Sequence, residues 1–176
     1  MVDFKSIDYL KDGNSRQKRA FEVLEKSRTM EKLKKYSPIL TGTIPIGIDI
    51  PTSDLDIICY WENKFDFIEQ LKLLFSNERN FVISELQIDH QDSIIAKFIL
   101  EGMEFEVFGQ NIPTALQNAY RHLLIEHQIL MDKGDLFNQQ IIKLKLQGYK
   151  TEPAFAKLLN LEGNAYKELL NYKNDF

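Results

Sequence analysis

The segment that most constrains the fold is a strand pattern in which two acidic residues alternate with apolar ones. It runs from Asp54 to Tyr60 with the sequence DLDIICY. Because successive side chains of a strand point to opposite faces, Asp54 and Asp56 share one face. The other face is apolar and carries Leu55, Ile57 and Cys59. The next helix, through Phe67 and Leu71, is expected to pack on this sheet.

Turn-forming residues are concentrated just before this strand, in residues 41–53. They are Gly42, Pro45, Gly47, Pro51, Thr52 and Ser53. This composition favours turns and caps over long elements. At Gly42 the missing side chain lets a ligand approach the backbone, whose free amides can bind a phosphate. The hydroxyl of Thr43 either bonds a phosphate oxygen or caps the turn.

An antiparallel meander is predicted for residues 81–109, with one turn at HQDS and a tight turn at Glu101-Gly102. The tight turn sets the register of the second hairpin. The expected pairs are Ile99 with Glu104, Phe98 with Phe105, and Lys97 with Glu106. Glu104 and Glu106 therefore share one face.

The remaining pattern is helical and predicts an α+β fold in one domain, residues 1–176. Residues 1–111 combine N-terminal helices with a small mixed sheet, and residues 112–176 form a helical C-terminal lobe. In that lobe we expect a helix after Pro113 that buries a stripe including Leu116. Further helices are expected at 136–147, 152–160 and 164–172.

Composition excludes several classes of protein. The 176 residues include 22 Lys and Arg against 26 Asp and Glu, so the net charge of −4 argues against a surface built mainly for phosphate backbones. One cysteine and three histidines exclude a disulfide scaffold and a four-ligand zinc module. Neither a long apolar run nor a secretory leader is present, so we expect a cytoplasmic protein without a membrane partner.

Asp54 and Asp56 are close enough that both cannot ionise comfortably without a nearby cation. Mg²⁺ prefers such hard oxygen ligands and completes its shell with water and substrate phosphates. A third carboxylate on a neighbouring strand, either Glu106 or Glu104, would allow two metals to lie side by side. That arrangement serves in-line phosphoryl displacement.

These residues carry a resemblance to a known family. The string Gly42-Thr43, three residues, Gly47, five residues, Ser53-Asp54-Leu55-Asp56 resembles the signature of the nucleotidyltransferase superfamily with the DNA-polymerase-beta-like fold. The resemblance is close over residues 39–60 and looser over 94–108. The strings EVFGQN and QNAYRHLLIE resemble a bacterial branch of small members. The fold implied is a nucleotidyltransferase-like mixed β-sheet with flanking helices.

The resemblance also implies an activity, the transfer of a nucleoside monophosphate from a nucleoside triphosphate (NTP) to an acceptor hydroxyl. Asp54, Asp56 and Glu106 would be the catalytic carboxylates, holding two Mg²⁺ or Mn²⁺ ions when the NTP is bound. The nucleotide contacts implied are Gly42, Thr43 and Ser53. The short acidic chain favours a small-molecule or protein acceptor over a nucleic acid, although a tRNA end is not excluded.

Two features depart from the family pattern and leave an alternative open. Between the two glycines stand Ile44, Pro45 and Ile46, whose side chains offer no donor to a phosphate. The third acid is Glu instead of the more usual Asp, and Glu106 has a competing partner in Lys97. Lys97 in turn either neutralises a phosphate or only this carboxylate. The alternative is a catalytically degenerate member that acts as a nucleotide- or protein-binding module.

His122 and Glu126 lie one turn apart on the helix after Pro113. They either line the site or belong to a solvated helix face, and the second interpretation is the expected one. His127 lies about 140° around the helix from His122. With no third ligand evident in the sequence, we predict no zinc site here.

Overall fold

The computed structural model describes residues 2–172, in which five strands and seven α-helices are present. The strands are β1 (Ile39–Thr41), β2 (Leu55–Tyr60), β3 (Arg79–Ile88), β4 (Gln91–Leu100) and β5 (Met103–Gln110). The helices are α1 (Ser15–Ser27), α2 (Thr29–Lys32), α3 (Lys64–Phe75), α4 (Asn118–Lys133), α5 (Asp135–Leu146), α6 (Thr151–Leu159) and α7 (Ala165–Asn171). Short 3₁₀ helices cover Asp8–Asp12, Lys34–Tyr36 and Thr114–Leu116. None of the described helices is long and apolar enough to cross a membrane.

The five strands form one mixed sheet in the order β1-β2-β5-β4-β3. Strands β2 and β5 pair in parallel, and the other neighbours are antiparallel. With helices beside the sheet and a run of helices after it, the predicted α+β class with a helical C-terminal lobe is confirmed. The parallel pair places Asp56 opposite Glu106, so two of the predicted carboxylates lie on neighbouring strands.

The register predicted for the second hairpin is confirmed, with Lys97 paired with Glu106 and Ile99 with Glu104. Glu101 and Gly102 both have positive φ, as a two-residue type I′ turn requires. The first turn is shorter than predicted. Strand β3 extends to Ile88 and β4 begins at Gln91, because Asp89 and His90 both adopt left-handed backbone angles and close another two-residue turn.

Local capping agrees with the sequence at two helices. The side chain of Asn14 accepts a hydrogen bond from the Gln17 amide, and the Gln17 side chain accepts one from the Asn14 amide. Asn63 caps α3 through the amides of Phe65 and Asp66. These caps satisfy backbone donors that the first turn of a helix leaves free.

The expectation for the start of the C-terminal lobe was wrong in one respect. Residues 114–116 form a separate 3₁₀ turn and α4 begins only at Asn118. Leu116 is consequently 65% exposed and does not belong to the buried stripe.

Three groups of buried side chains hold the structure together. The largest packs Leu55, Ile57 and Cys59 of β2 against α1 and α3, as their alternation predicted. A second group lies within the helical lobe and includes Ile129, Ile141 and Phe155. The third joins the two parts: Ile58, on the acidic face of β2, packs with Tyr120 and Leu123 of α4. The helical lobe therefore covers one end of the acidic face and leaves the other end open.

Candidate active site

A cleft of about 1350 Å³ opens between the acidic face of the sheet and the helical lobe. Nine of the residues singled out in the sequence line it: Gly42, Thr43, Ser53, Asp54, Asp56, Lys97, Glu106, His122 and Glu126. The tenth, Glu104, pairs with Ile99 and is exposed outside this lining. The cleft thus collects the predicted residues from the loop, three strands and α4.

Asp56 lies on β2 and Asp54 immediately precedes that strand. Burial raises the pKa of Asp56 well above its ordinary value, and the neighbouring charges of Asp54 and Glu106 raise it further. Burial is also the largest cause of the raised pKa of Asp54, with Glu106 again contributing. The pair is therefore electrostatically poised to accept a cation.

Gly42 is required by the position of Asp56. Its φ of +76° lies in the left-handed region, and a Cβ there would overlap the Oδ2 atom of Asp56. The glycine following β1 therefore lets the carboxylate of the neighbouring strand lie directly against the backbone.

Two hydroxyl groups close the loop between β1 and β2. Thr43 Oγ1 lies 3.1 Å from Ser53 Oγ, and Ser53 Oγ accepts a hydrogen bond from the Ile50 amide at 3.0 Å. Both residues line the cleft. Their side chains hold the loop in shape and leave hydroxyl groups at the wall of the cleft.

Helix α1 anchors the same loop through two residues that sequence reasoning missed. Arg16 donates to the Ser53 carbonyl at 2.5 Å. Gln17 donates to the carbonyls of Ile44 and Pro45 at 3.0 and 3.1 Å. The sequence signal for Gln17 was its place in the capping box; nothing local marked Arg16.

The apolar residues between the two glycines belong to the core. Ile44 is buried in the main core, Pro45 is buried, and Ile46 packs against both other groups of buried side chains. Packing explains why this segment is apolar.

Glu106 is held by an ion pair. Its Oε2 atom lies 2.7 Å from Lys97 Nζ, and the Glu106 side chain is 25% exposed against 62% for Lys97. The hydrogen bond that Lys97 donates to Glu106 raises the pKa of Lys97. Glu106 therefore neighbours Asp56 across the parallel pair while its carboxylate is drawn toward Lys97 on β4.

The expectation of a solvated face for His122 and Glu126 was wrong. Both are buried, because α4 packs against α5 and α7, and His122 also contacts Glu152 of α6. Burial raises the pKa of Glu126 well above its ordinary value, with Glu152 adding to the effect and Lys145 opposing it. Glu152 supplies a third possible metal ligand beside these two. One ligand atom each of His122, Glu126 and Glu152 lies within 4.8 Å of the others.

Lys145 on α5 was also missed. It is 7% exposed, lines the cleft and donates from Nζ to the Ile48 carbonyl at 2.8 Å. Burial lowers its pKa to about 8, although nearby acids, Asp49 first among them, oppose the shift. The available signal was its spacing of four residues from the buried Ile141, which places a lysine on the inner face of α5.

Solved structures share this fold at low sequence identity. The chain is similar to the Cid1 poly(U) polymerase with MgGTP bound, at 16% identity and a TM-score of 0.53, over 76% of this chain and 42% of that one. It is similar to the polymerase core of TRAMP, an RNA surveillance complex, at 13% identity and a TM-score of 0.52, over 93% and 50%. It is similar to the structure of the GLD-2/RNP-8 complex at 10% identity and a TM-score of 0.55, over 88% of this chain and 63% of that one.

The chain thus spans 42% to 63% of the length of these structures. Their likeness confirms the nucleotidyltransferase fold implied by the glycine and aspartate motifs. None of the curated proteins matches the chain. A family model described as "Domain of unknown function (DUF4269)" matches residues 22–172, and the chain therefore belongs to that family.

Proposed function

We propose that the protein is a metal-dependent nucleotidyltransferase, which transfers a nucleoside monophosphate from an NTP to an acceptor hydroxyl on a small molecule or a protein. The observation that carries the proposal is the placement of Asp54 and Asp56 at the wall of an open cleft, with Asp56 paired with Glu106 across the parallel strands. Glycine at position 42 accommodates the Asp56 carboxylate there.

The chemistry of the three carboxylates suits divalent magnesium, or manganese, because their mutual repulsion favours a bound cation. Their ligand atoms do not all lie within 4.8 Å of one another, since Glu106 is paired with Lys97. Asp54 and Asp56 would hold the ions, and Glu106 would complete one shell after leaving Lys97. Bound metal would neutralise the charge that develops on the transferred phosphoryl group. The acceptor oxygen forms a bond to the α-phosphorus as the bond to pyrophosphate breaks, and the hydroxyl proton passes to a base.

Other groups in the cleft suit the triphosphate. The hydroxyls of Thr43 and Ser53 lie at its wall, and Lys145 is a buried cation beside the acids. A cleft of about 1350 Å³ leaves room for an acceptor beside the nucleotide. The acidic net charge favours a small-molecule or protein acceptor over an RNA.

Calorimetric titration of the protein with each NTP, with and without Mg²⁺, tests the proposal. We expect Mg²⁺-dependent binding of at least one NTP, and its loss in the double variant Asp54→Asn/Asp56→Asn. Labelled nucleotide then identifies the acceptor. If no NTP binds in the presence of Mg²⁺ or Mn²⁺, the nucleotidyltransferase activity is refuted in favour of a binding module for other partners.

The ion pair of Lys97 with Glu106 gives a separate prediction. Because the pair is partly exposed, we expect Lys97→Met to change the free energy of unfolding by less than about 1 kcal/mol. Freed from Lys97, Glu106 is available to metal, so the Mg²⁺ concentration for half-maximal NTP binding should fall up to about fivefold. Calorimetric NTP titrations at a series of Mg²⁺ concentrations measure this half-maximal concentration. A weaker NTP affinity at saturating Mg²⁺ would instead assign Lys97 to a phosphate.

A further inference from the structure

A second group of possible ligands lies in the helical lobe and shares no residue with the carboxylates of the sheet. His122 and Glu126 lie one turn apart on α4, and Glu152 lies in the first turn of α6. Within residues 2–172, these three form the one group of three or more His, Cys, Asp or Glu side chains whose ligand atoms all lie within 4.8 Å of one another. All three residues line the cleft.

The imidazole of His122 is oriented as a ligand. Its Nε2 atom lies 3.0 Å from the backbone carbonyl oxygen of Tyr166 on α7, which accepts only, so Nε2 carries a proton. In the neutral ring, Nδ1 then presents a lone pair, 3.3 Å from Glu152 Oε1. Two electron-rich atoms face each other and need a cation or a proton between them. Metal-ligating histidines characteristically donate their other N–H to a carbonyl in this way.

Glu126 supplies an independent observation. The residue is only 4% exposed, and its Oε1 atom has no hydrogen-bond partner within the described chain. Lys145 is a nearby cation, but its ammonium group donates to the Ile48 carbonyl. Among the described residues, no ion pair joins Lys145 to Glu126. A buried carboxylate oxygen without a partner is unfavourable unless a cation or proton satisfies it.

We propose that His122 Nδ1, Glu126 and Glu152 bind one divalent transition-metal ion of the zinc class. Zinc accepts imidazole nitrogen and carboxylate oxygen together, whereas Mg²⁺ prefers oxygen ligands and water. The 3.3 Å between Nδ1 and Oε1 is close to the separation of two ligands in a tetrahedral shell, roughly 3.3 to 3.4 Å for bonds of about 2.0 to 2.1 Å.

The bound ion would tie three helices of the lobe together. It links α4 to α6 directly and fixes the ring that Tyr166 of α7 orients. Three protein ligands leave a fourth position, and because the ligands line the cleft, that position is open to water or a substrate oxygen. The site shares no residue with the carboxylates proposed to hold Mg²⁺.

Titration with ZnCl₂ tests this proposal independently of nucleotide binding. We use the full chain carrying Asp54→Asn/Asp56→Asn, so that the sheet carboxylates contribute little. One equivalent of Zn²⁺ should bind and raise the melting temperature, while MgCl₂ at the same concentration should not. Adding Glu126→Gln or His122→Gln should weaken Zn²⁺ binding at least tenfold, and Glu152→Gln should do the same. His90→Gln, in the exposed β3–β4 turn, is the matched control and should bind normally.

Substitution of Co²⁺ gives a second readout, since visible absorption of the bound ion reports nitrogen and oxygen ligands in low coordination. The proposal is overturned if the background variant binds no Zn²⁺, or if Glu126→Gln and Glu152→Gln bind it as tightly as the background. In that event a shared proton joins His122 to Glu152 instead. Neither result depends on whether an NTP binds at Asp54 and Asp56.

Discussion

Replacing Asp56 with asparagine is expected to remove nearly all of the proposed nucleotidyl transfer while stabilising the metal-free protein. Burial, Asp54 and Glu106 all raise the pKa of Asp56, so its ionised carboxylate destabilises the folded state in the absence of a cation. Asparagine keeps the shape and removes the charge. We expect turnover to fall roughly a thousandfold, as when a preorganised electrostatic group is removed. The free energy of unfolding should rise by about 0.5 to 2 kcal/mol, as is common when a functional compromise is relieved.

Both quantities are measured on the same variant. Pyrophosphate release reports turnover once the acceptor is known, and Mg²⁺-dependent NTP binding reports the site before then. Urea denaturation in the presence of a chelator reports stability. Asp12→Asn, an exposed charge change near the N-terminus, is the control and should alter neither. An Asp56→Asn protein that is destabilised and still turns over would show that the carboxylate serves the fold alone.

Gly42→Ala is expected to combine a large loss of stability with a loss of NTP binding. The substitution forces a side chain into a φ of +76° and into overlap with the Asp56 carboxylate. The left-handed backbone conformation should lower the free energy of unfolding by about 1 to 2 kcal/mol, and the overlap should lower it further by about 1 to 3 kcal/mol. Because the carboxylate must move to relieve the overlap, Mg²⁺-dependent binding should fall with stability.

Gly102→Ala is a matched control for the backbone term. Gly102 has a φ of +79° and nothing within 4 Å of the added Cβ, so this variant is destabilised only by the left-handed backbone conformation. Urea denaturation should show a loss of about 1 to 2 kcal/mol for Gly102→Ala and clearly more for Gly42→Ala. NTP binding should persist in Gly102→Ala. Equal losses in both variants would contradict the close packing of Asp56 against Gly42.

Much of the fold was predictable because its signals are local. The alternation along β2 placed Asp54 and Asp56 opposite the core-facing residues, and the Glu101-Gly102 turn set the pairing of Lys97 with Glu106. The turn at Asp89-His90 was placed too late, since two non-glycine residues with positive φ are hard to foresee from composition.

The candidate site was predictable in part. The glycine and aspartate spacing led to the loop and to β2, and a neighbouring strand was expected to supply Glu106. The packing of Ile44 and Ile46 could not be foreseen, because their packing partners lie in distant elements. Arg16 and Lys145 had little or no local signal, since each acts on a backbone carbonyl far away in the chain.

The sequence by itself determined the elements, their capping and the face that each strand presents, because these depend on neighbours a few residues apart. Only the tertiary structure decided that β5 lies parallel to β2, that His122 and Glu126 are buried, and that Glu152 joins them from 26 residues beyond Glu126. The physical reason is that helix packing sums many apolar contacts between distant segments. A polar cluster at such a junction therefore leaves no periodic signal in the chain.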